Sequence, residues 1–256
     1  MKAIWKGAIS FGLVNIPVKM YSASESNTLD LDMLRKGDHC PVHFKRVCES
    51  DGKEIPYEDI VKGYKVKGGE YVILDDKDFE NANVEKTHRI DLIHFVNETD
   101  VNSVFYEKPY FLEPEKSGVK PYALLREAIK KSKKVGIGKF VMKNREHVGV
   151  IKLFNDAIIF NQMRFPDEVR SDSGLKLPSS NDLSAKEVEM AITLIKQLSH
   201  KFTPKDYKDT YNEELMKVIE LKAKGKKIKP SGKIPKPTNT KNLMTLLKAS
   251  INKKAA

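Results

Sequence analysis

Along the first twenty residues, apolar side chains recur at close to every second position. Ile4, Ile9, Phe11, Val14, Ile16 and Val18 are interleaved with Gly7, Gly12 and Pro17, which predicts strands with bends or edges at the glycines and proline. Residues 35–56 lose this periodicity. They are polar and basic and carry an Asp51-Gly52 turn signal, the pattern of a functional excursion from the body. Strand chemistry returns at 71–74, 88–96 and 104–112. A helix is expected from Pro121, with Tyr122, Leu125, Ile129 and nearby Leu124 as its inner stripe and Gly136 and Gly138 closing it. Further strand-like runs follow at 139–142, 148–154 and 157–160.

After Pro178 the period changes to that of helices. Ser184 and Glu187 form a capping box ahead of a stripe of Val188, Ala191, Ile192, Ile195 and Leu198. Thr203-Pro204 should open a second helical region with Leu215, Val218, Ile219 and Leu221 on its buried face, ending at Gly225. Residues 226–240 place Pro230, Pro235 and Pro237 among lysines, an extended solvated linker. Leu243, Leu246, Leu247 and Ile251 then form a short amphipathic segment, too small to fold alone. The expected organisation is a strand-rich core over 1–178, a helical arm over 179–225, and a basic tail over 226–256.

The 256 residues are 40% hydrophobic and 8% aromatic, which excludes wholesale disorder. No apolar run reaches the roughly 18 residues of a spanning helix, and the N-terminus has no signal-peptide pattern. Two cysteines cannot make a disulfide framework. These features predict a soluble cytoplasmic protein without a membrane partner.

Charge is distributed in blocks. The net charge is +11, from 46 Lys+Arg and 35 Asp+Glu. Residues 222–256 hold 11 lysines and no acid, so the remainder carries 35 of each sign and is neutral. Within it, residues 68–115 have 4 basic and 12 acidic side chains, whereas 116–152 have 11 basic and 2 acidic. A neutral body with opposed faces and a lysine tail suits a polyanion held in one orientation; a solvated surface with a solubilising tail is the plainer alternative.

Catalytic constellations are missing. There is no GxxxxGK(S/T) loop, no GxGxxG after a strand and no GxSxG elbow. Lys6 in Ile-Trp-Lys-Gly has a superficial likeness to the lysine motif of nucleotidyl transferases, without the acidic and basic motifs that class requires. His39, Cys40, His43 and Cys48 are four candidate zinc ligands in ten residues, yet each cysteine stands alone where a closed site uses pairs. No metal, cofactor or enzymatic activity is expected. The basic residues instead suggest nucleic acid: Arg35, Lys36, Lys45, Arg46 and Lys53 in the excursion, then Lys130, Lys131, Lys133, Lys134, Lys139, Lys143 and Arg145. No base-reading module accompanies them, so binding should be salt-sensitive and sequence-independent.

Several stretches form a distinctive set: Ile4-Trp-Lys-Gly-Ala-Ile-Ser-Phe-Gly-Leu-Val-Asn-Ile-Pro-Val18, Ile60-Val-Lys-Gly-Tyr64 with Gly69-Glu-Tyr-Val72, and Gly138-Lys-Phe-Val-Met142 with Arg145-Glu-His147. Asp167-Glu-Val-Arg170 and the run from Lys201-Phe through Tyr207-Lys-Asp-Thr-Tyr211 complete it. From residue 1 to about residue 225 this set closely resembles the bacterial Ku family. The resemblance implies an α+β, mainly β fold: a Ku-type β-barrel core with a C-terminal helical arm, forming a ring-shaped homodimer. It also implies a role in non-homologous end joining, in which the ring binds double-stranded DNA ends and recruits and stimulates a multi-domain ATP-dependent repair ligase. The segment at about 30–67 resembles the family's bridge over the duplex. Some members resemble a zinc ribbon there, of which only Cys40 and Cys48 remain, and no metal is carried over. Two other readings compete: a general nucleoid-associated protein without end specificity, and a nuclease or nucleotidyl transferase.

Overall fold

The computed structural model describes residues 1–82, 88–143, 145–179, 183–226 and 243–254. It divides into two units, Met1–Ser171 and Asp172–Ala256. In the first, β1 (Trp5–Phe11) and β2 (Val14–Ser22) form a hairpin whose turn needs the left-handed backbone of Gly12, φ 59°. After a long excursion the chain returns as β5 (Arg89–Asn97), then β6 (Tyr106–Pro114), α2 (Val119–Ser132), β7 (Lys134–Met142), β8 (Arg145–Phe154) and β9 (Ala157–Met163). The excursion itself contains β3 (Lys62–Lys65), β4 (Tyr71–Leu74) and α1 (Asp76–Ala82). The strands close into a barrel in the order β1-β2-β6-β9-β8-β7-β5, a mixed and mainly β architecture. Every neighbouring pair is antiparallel except β1 and β5, which run parallel from Ala8–Arg89 to Ser10–Asp91.

Alternation fills the interior. Ile9, Ile16, Val18, Met20, Ile90, Leu112, Phe140, Ile151, Ile158 and Phe160 are buried there. At the closing seam, Trp5 and Gly7 share a face of β1. The position a Cβ would take on Gly7 is already occupied by the Trp5 indole and the His88 carbonyl. The indole so placed packs edge-on to Phe140 at 5.8 Å and donates Nε1–H to the Val141 carbonyl at 3.2 Å. From α2, Tyr122, Leu125 and Ile129 add an i, i+3, i+7 stripe to the core. The Tyr122 hydroxyl donates to the Leu112 carbonyl and accepts from the Ile158 amide, both at 2.8 Å, so it links β6 to β9 where their direct pairing ends.

The second unit contains α3 (Ala185–Leu198), α4 (Thr210–Ala223) and α5 (Leu243–Lys254). Ser184 caps α3: its side chain accepts from the Glu187 amide, and the Glu187 carboxylate accepts from the Ser184 amide at 2.9 Å. α5 packs against α3. Among the described residues no helix is long and apolar enough to cross a membrane.

Several local expectations are corrected. Gly7 and Pro17 mark neither bends nor edges but sit inside paired strands. The Pro17 carbonyl, turned away from β1, accepts from the Glu115 amide beyond the end of β6, so its missing N–H costs no ladder bond. α2 begins at Val119 and ends at Ser132, capped by Lys133, which takes the left-handed conformation itself. Gly136 and Gly138 lie within β7, where neighbouring side chains leave little room for a Cβ. Leu124 faces solvent, two positions out of phase with Tyr122. Thr203-Pro204 leads only a single 3-10 turn, and α4 starts after Asp209, whose side chain accepts from the Tyr211 and Asn212 amides. Ile219 and Leu221 on α4 are exposed. On α3 the half-buried side is Glu187, Met190, Ala191 and Leu194, while Val188, Ile192, Ile195 and Leu198 remain exposed. The solvated linker expected over 226–240 falls outside the described residues from 227 onward, whereas the terminal segment is the helix α5.

Replacing Tyr122 with Phe should strand the Ile158 amide and Leu112 carbonyl, lowering stability by about 1–3 kcal/mol in urea unfolding. Burial raises the Tyr122 pKa above the usual 10.0, so the folded state keeps this proton longer than the unfolded chain. The associated stability is complete below that pH and lost as pH rises above it. The unfolding midpoint should therefore fall as the pH is raised above about 10, and fall less in Tyr122→Phe.

Candidate nucleic-acid interface

The excursion leaves at the end of β2, where the Ala23 amide donates to Pro109, and re-enters at His88, whose carbonyl accepts from Ala8. β1 alone separates its two feet laterally, and the strand registers stagger them by five residues along β1, which places them roughly 20 Å apart toward one end of the barrel. Among its described residues it buries none of its side chains. It is an arch.

Its backbone is organised into two successive tight loops. In the first, Val42 donates to Met33, Arg35 to Cys40 and His39 to Arg35, each at 2.9 Å, with His39 in the left-handed region. In the second, Ile55 donates to Arg46, Cys48 to Lys53 and Gly52 to Cys48, each at 2.8 Å, with Gly52 supplying the positive φ. The chain then reaches the β3–β4 hairpin and α1, whose start is fixed by reciprocal bonds between Asp75 and Asp78 at 2.9 Å. Lys62 stands 4.6 Å from the Phe79 ring centre and joins the hairpin to α1. Cys40 and Cys48 are free thiols. A hydrogen bond with the Ser50 hydroxyl lowers the Cys48 pKa. Among the described residues, no group of three or more His, Cys, Asp or Glu is arranged to hold a metal ion.

The arch cations are exposed, and three of the five predicted ones are matched to nearby carboxylates. Arg35 pairs with Asp38, Lys45 with Glu54 at 2.6 Å, and Lys53 with Asp51 at 3.3 Å. The Arg35 guanidinium holds Asp38 below the usual carboxylate range, with a further contribution from the Cys40 amide. Arg46 lies over the Tyr57 ring at 5.1 Å, and neither it nor Lys36 has an ion pair among the described residues. Over residues 30–67 there are 8 basic and 8 acidic side chains, so the arch is locally neutral. Exposed pairs of this kind are worth little, and a phosphate can replace the carboxylate at small cost.

The second predicted group is divided. Lys130, Lys131 and Lys133 are exposed at the C-terminal end of α2, where the helix dipole favours cations. Lys134, at the start of β7, donates to Asn97 Oδ1 at 2.7 Å. Lys143 and Arg145 lie at the far end of β7, roughly 30 Å away along the strand. Lys139 lies between them and pairs with Glu146 at 3.2 Å. The strand registers put Lys143 and Arg145 at the arch's end of the barrel, and the α2 lysines at the opposite end.

Sequence reasoning missed the β3–β4 hairpin as a carrier of cations. Lys62 and Lys65 flank Tyr64, and Lys65 stands 5.7 Å from the Tyr71 ring centre. The signal was the interleaving of lysines and tyrosines around the Gly68-Gly69 turn. The arch also exposes large apolar side chains, Phe44 at 79% and Tyr57 at 77% among them. Cations beside aromatic surface in extended loops can neutralise phosphates, and they carry no base code.

Residues 10–190 match the family model described as the Ku70/Ku80 beta-barrel domain. The chain is 38% identical over 260 residues to "Non-homologous end joining protein Ku" of Opitutus terrae, covering 100% of this chain and 93% of that protein. A protein of the same name from Archaeoglobus fulgidus is 36% identical, over 98% of each chain. The Bacillus subtilis protein is 34% identical, over 99% of this chain and 82% of its own. With a seven-stranded barrel, an arch at its seam and this breadth of similarity, the chain belongs to the Ku family.

Proposed function

We propose that this protein binds double-stranded DNA ends without regard to sequence, as a ring-shaped homodimer acting in non-homologous end joining. The observation that carries the reading is the arch: residues 23–88 span two feet roughly 20 Å apart and bury none of their described side chains. A segment of that length and exposure suits closure around a ligand. A closed ring admits a duplex only at its end, so end preference needs no base contact. The relatives' names supply the process. Recruitment of an ATP-dependent, multi-domain repair ligase is part of the same reading, as is residence with the nucleoid in the cytoplasm. No catalytic role is assigned.

The dimer is supported by uncovered apolar surface. On α3, Val188, Ile192 and Ile195 recur at i, i+4, i+7 and remain exposed, as do Tyr64, Tyr71 and Ile73 on the β3–β4 hairpin. A second copy would cover such faces in an isologous interface. Ile192→Asp with Ile195→Asp should therefore shift sedimentation toward monomer at least tenfold in concentration. A wild-type protein that sediments as a monomer at micromolar concentration would sink the ring.

A general nucleoid-binding protein is the second reading, since the cations carry no sequence code. Competition separates the two. A labelled linear fragment should be displaced by unlabelled linear DNA and resist equal masses of closed circles, and ligase joining should rise only with linear substrate. Equal competition by circles would select the second reading.

The divided cations make a further expectation. Replacing Lys130, Lys131 and Lys133 with Ala should weaken all sequences alike and reduce the magnitude of the log K against log salt slope by about 0.9 for each phosphate left unneutralised. Replacing Arg46 and Lys36 should act in the same way. A changed sequence preference in either variant would show that these residues read bases.

A further inference from the structure

α3 has two different faces. One carries the exposed Val188, Ile192 and Ile195. The other carries the half-buried Glu187, Met190, Ala191 and Leu194, and α5 is the helix packed against α3. On α5, Leu243, Leu247 and Ile251 are half-buried at i, i+4, i+8, next to Met244. Neither α3 nor the described side chains of α5 include a buried residue, so the contact is shallow. α5 spans 12 residues and holds no carboxylate. A helix of that length is marginal on its own in water, so α5 must form as it docks and gives up part of the contact energy to its own ordering. It is also covalently tethered, because it follows α4 in the same chain.

We propose that the Met190–Leu194 side of α3 is a helix-docking face, occupied in the free protein by α5 as a tethered self-ligand. A partner protein displaces it with a lysine-bearing amphipathic helix. The chemistry of that partner is set by α5 itself: apolar residues at i, i+4, i+8, lysines such as Lys248 on the exposed side, and no acid to oppose Glu187. A preformed partner helix does not bear the ordering cost that α5 bears, which is why it wins. A covalently tethered ligand is held at an effective concentration on the order of 1 mM. A self-ligand whose intrinsic dissociation constant lies about tenfold below that value weakens any competitor about tenfold.

The test uses the full-length protein without DNA, so its result is independent of end binding. A fluorescent peptide spanning residues 243–254 is titrated with wild type and with Leu247→Asp/Ile251→Asp, which releases α5. The peptide should bind the released variant about tenfold more tightly, and adding Met190→Asp should abolish that binding. Equal affinity for both proteins, binding to neither, or binding that survives Met190→Asp overturns the proposal. A second measurement needs no variant: excess unlabelled peptide added to wild type should speed hydrogen exchange of the α5 amides while leaving the α3 amides protected. Unchanged exchange at α5 also overturns it.

Discussion

The constraint on which the rest depends is the closing seam of the barrel. Seven strands cannot close with every neighbour antiparallel, because alternating direction around a ring requires an even number. One neighbouring pair must be parallel, and here it is β1 with β5. Since β2 also pairs with β1, the chain must pass from one side of β1 to the other at the same end of the barrel. A handful of residues would cover the ~20 Å between those feet. The chain uses residues 23–88, so the connection required by topology has been enlarged into the arch. The seam that anchors it is tight, with the Trp5 indole lying where a Gly7 side chain would be and bonded onward to β7. A rigid base and an arm with little burial follow from one piece of geometry, and local stability tracks such burial.

Much of the barrel was legible in the sequence, because period-two alternation survives wherever one face of a strand is buried. Ile9, Ile16 and Val18 were read correctly for that reason. The glycines of β7 were not. A glycine that ends a helix and one that makes room for Ile151 and Phe95 look alike without the partner strand. Leu124 and the α3 stripe failed for a related reason: an apolar residue on a helix records that a face is suited to burial, not that this chain buries it. α1 and β3 carry no continuous apolar period, being built from acidic caps and lysine–tyrosine alternation, and so gave no signal. Of the candidate site, residue types and exposure were readable. The division of residues 130–145 between opposite ends of the barrel was not, because it depends on β7 running the full height of the wall.

The energetics of the arch differ from those of a simple basic lining. With 8 cations and 8 carboxylates over residues 30–67, it presents no strong net field to attract polyanions from a distance. Its ion pairs are exposed, and exchanging Asp or Glu for phosphate is nearly even in Coulomb terms. What changes on such an exchange is the DNA, which releases condensed counterions. Long-range attraction must therefore come from elsewhere in the chain, and the block at 116–152, with 11 basic and 2 acidic residues, is the part of the barrel unit able to supply it. The α2 lysines, free of ion pairs among the described residues, are its most available members.

This separation bears on how a protein without a base code can be selective. Charge that acts at a distance is indifferent to whether a duplex is linear or closed, because both carry one phosphate per roughly 1.7 Å of axis. An arch of matched charges contributes little to that attraction and does not compete with it. On the reading proposed above, attraction and selection therefore reside in different parts of the molecule: exposed lysines at one end of the barrel set how strongly DNA is held, and the arch at the other sets which DNA can enter. A strongly basic arch would have bound duplex from outside the ring as readily as a threaded one. On the same proposed reading, local neutrality over residues 30–67 reduces that side reaction and leaves topology, not charge, to discriminate an end from a closed circle.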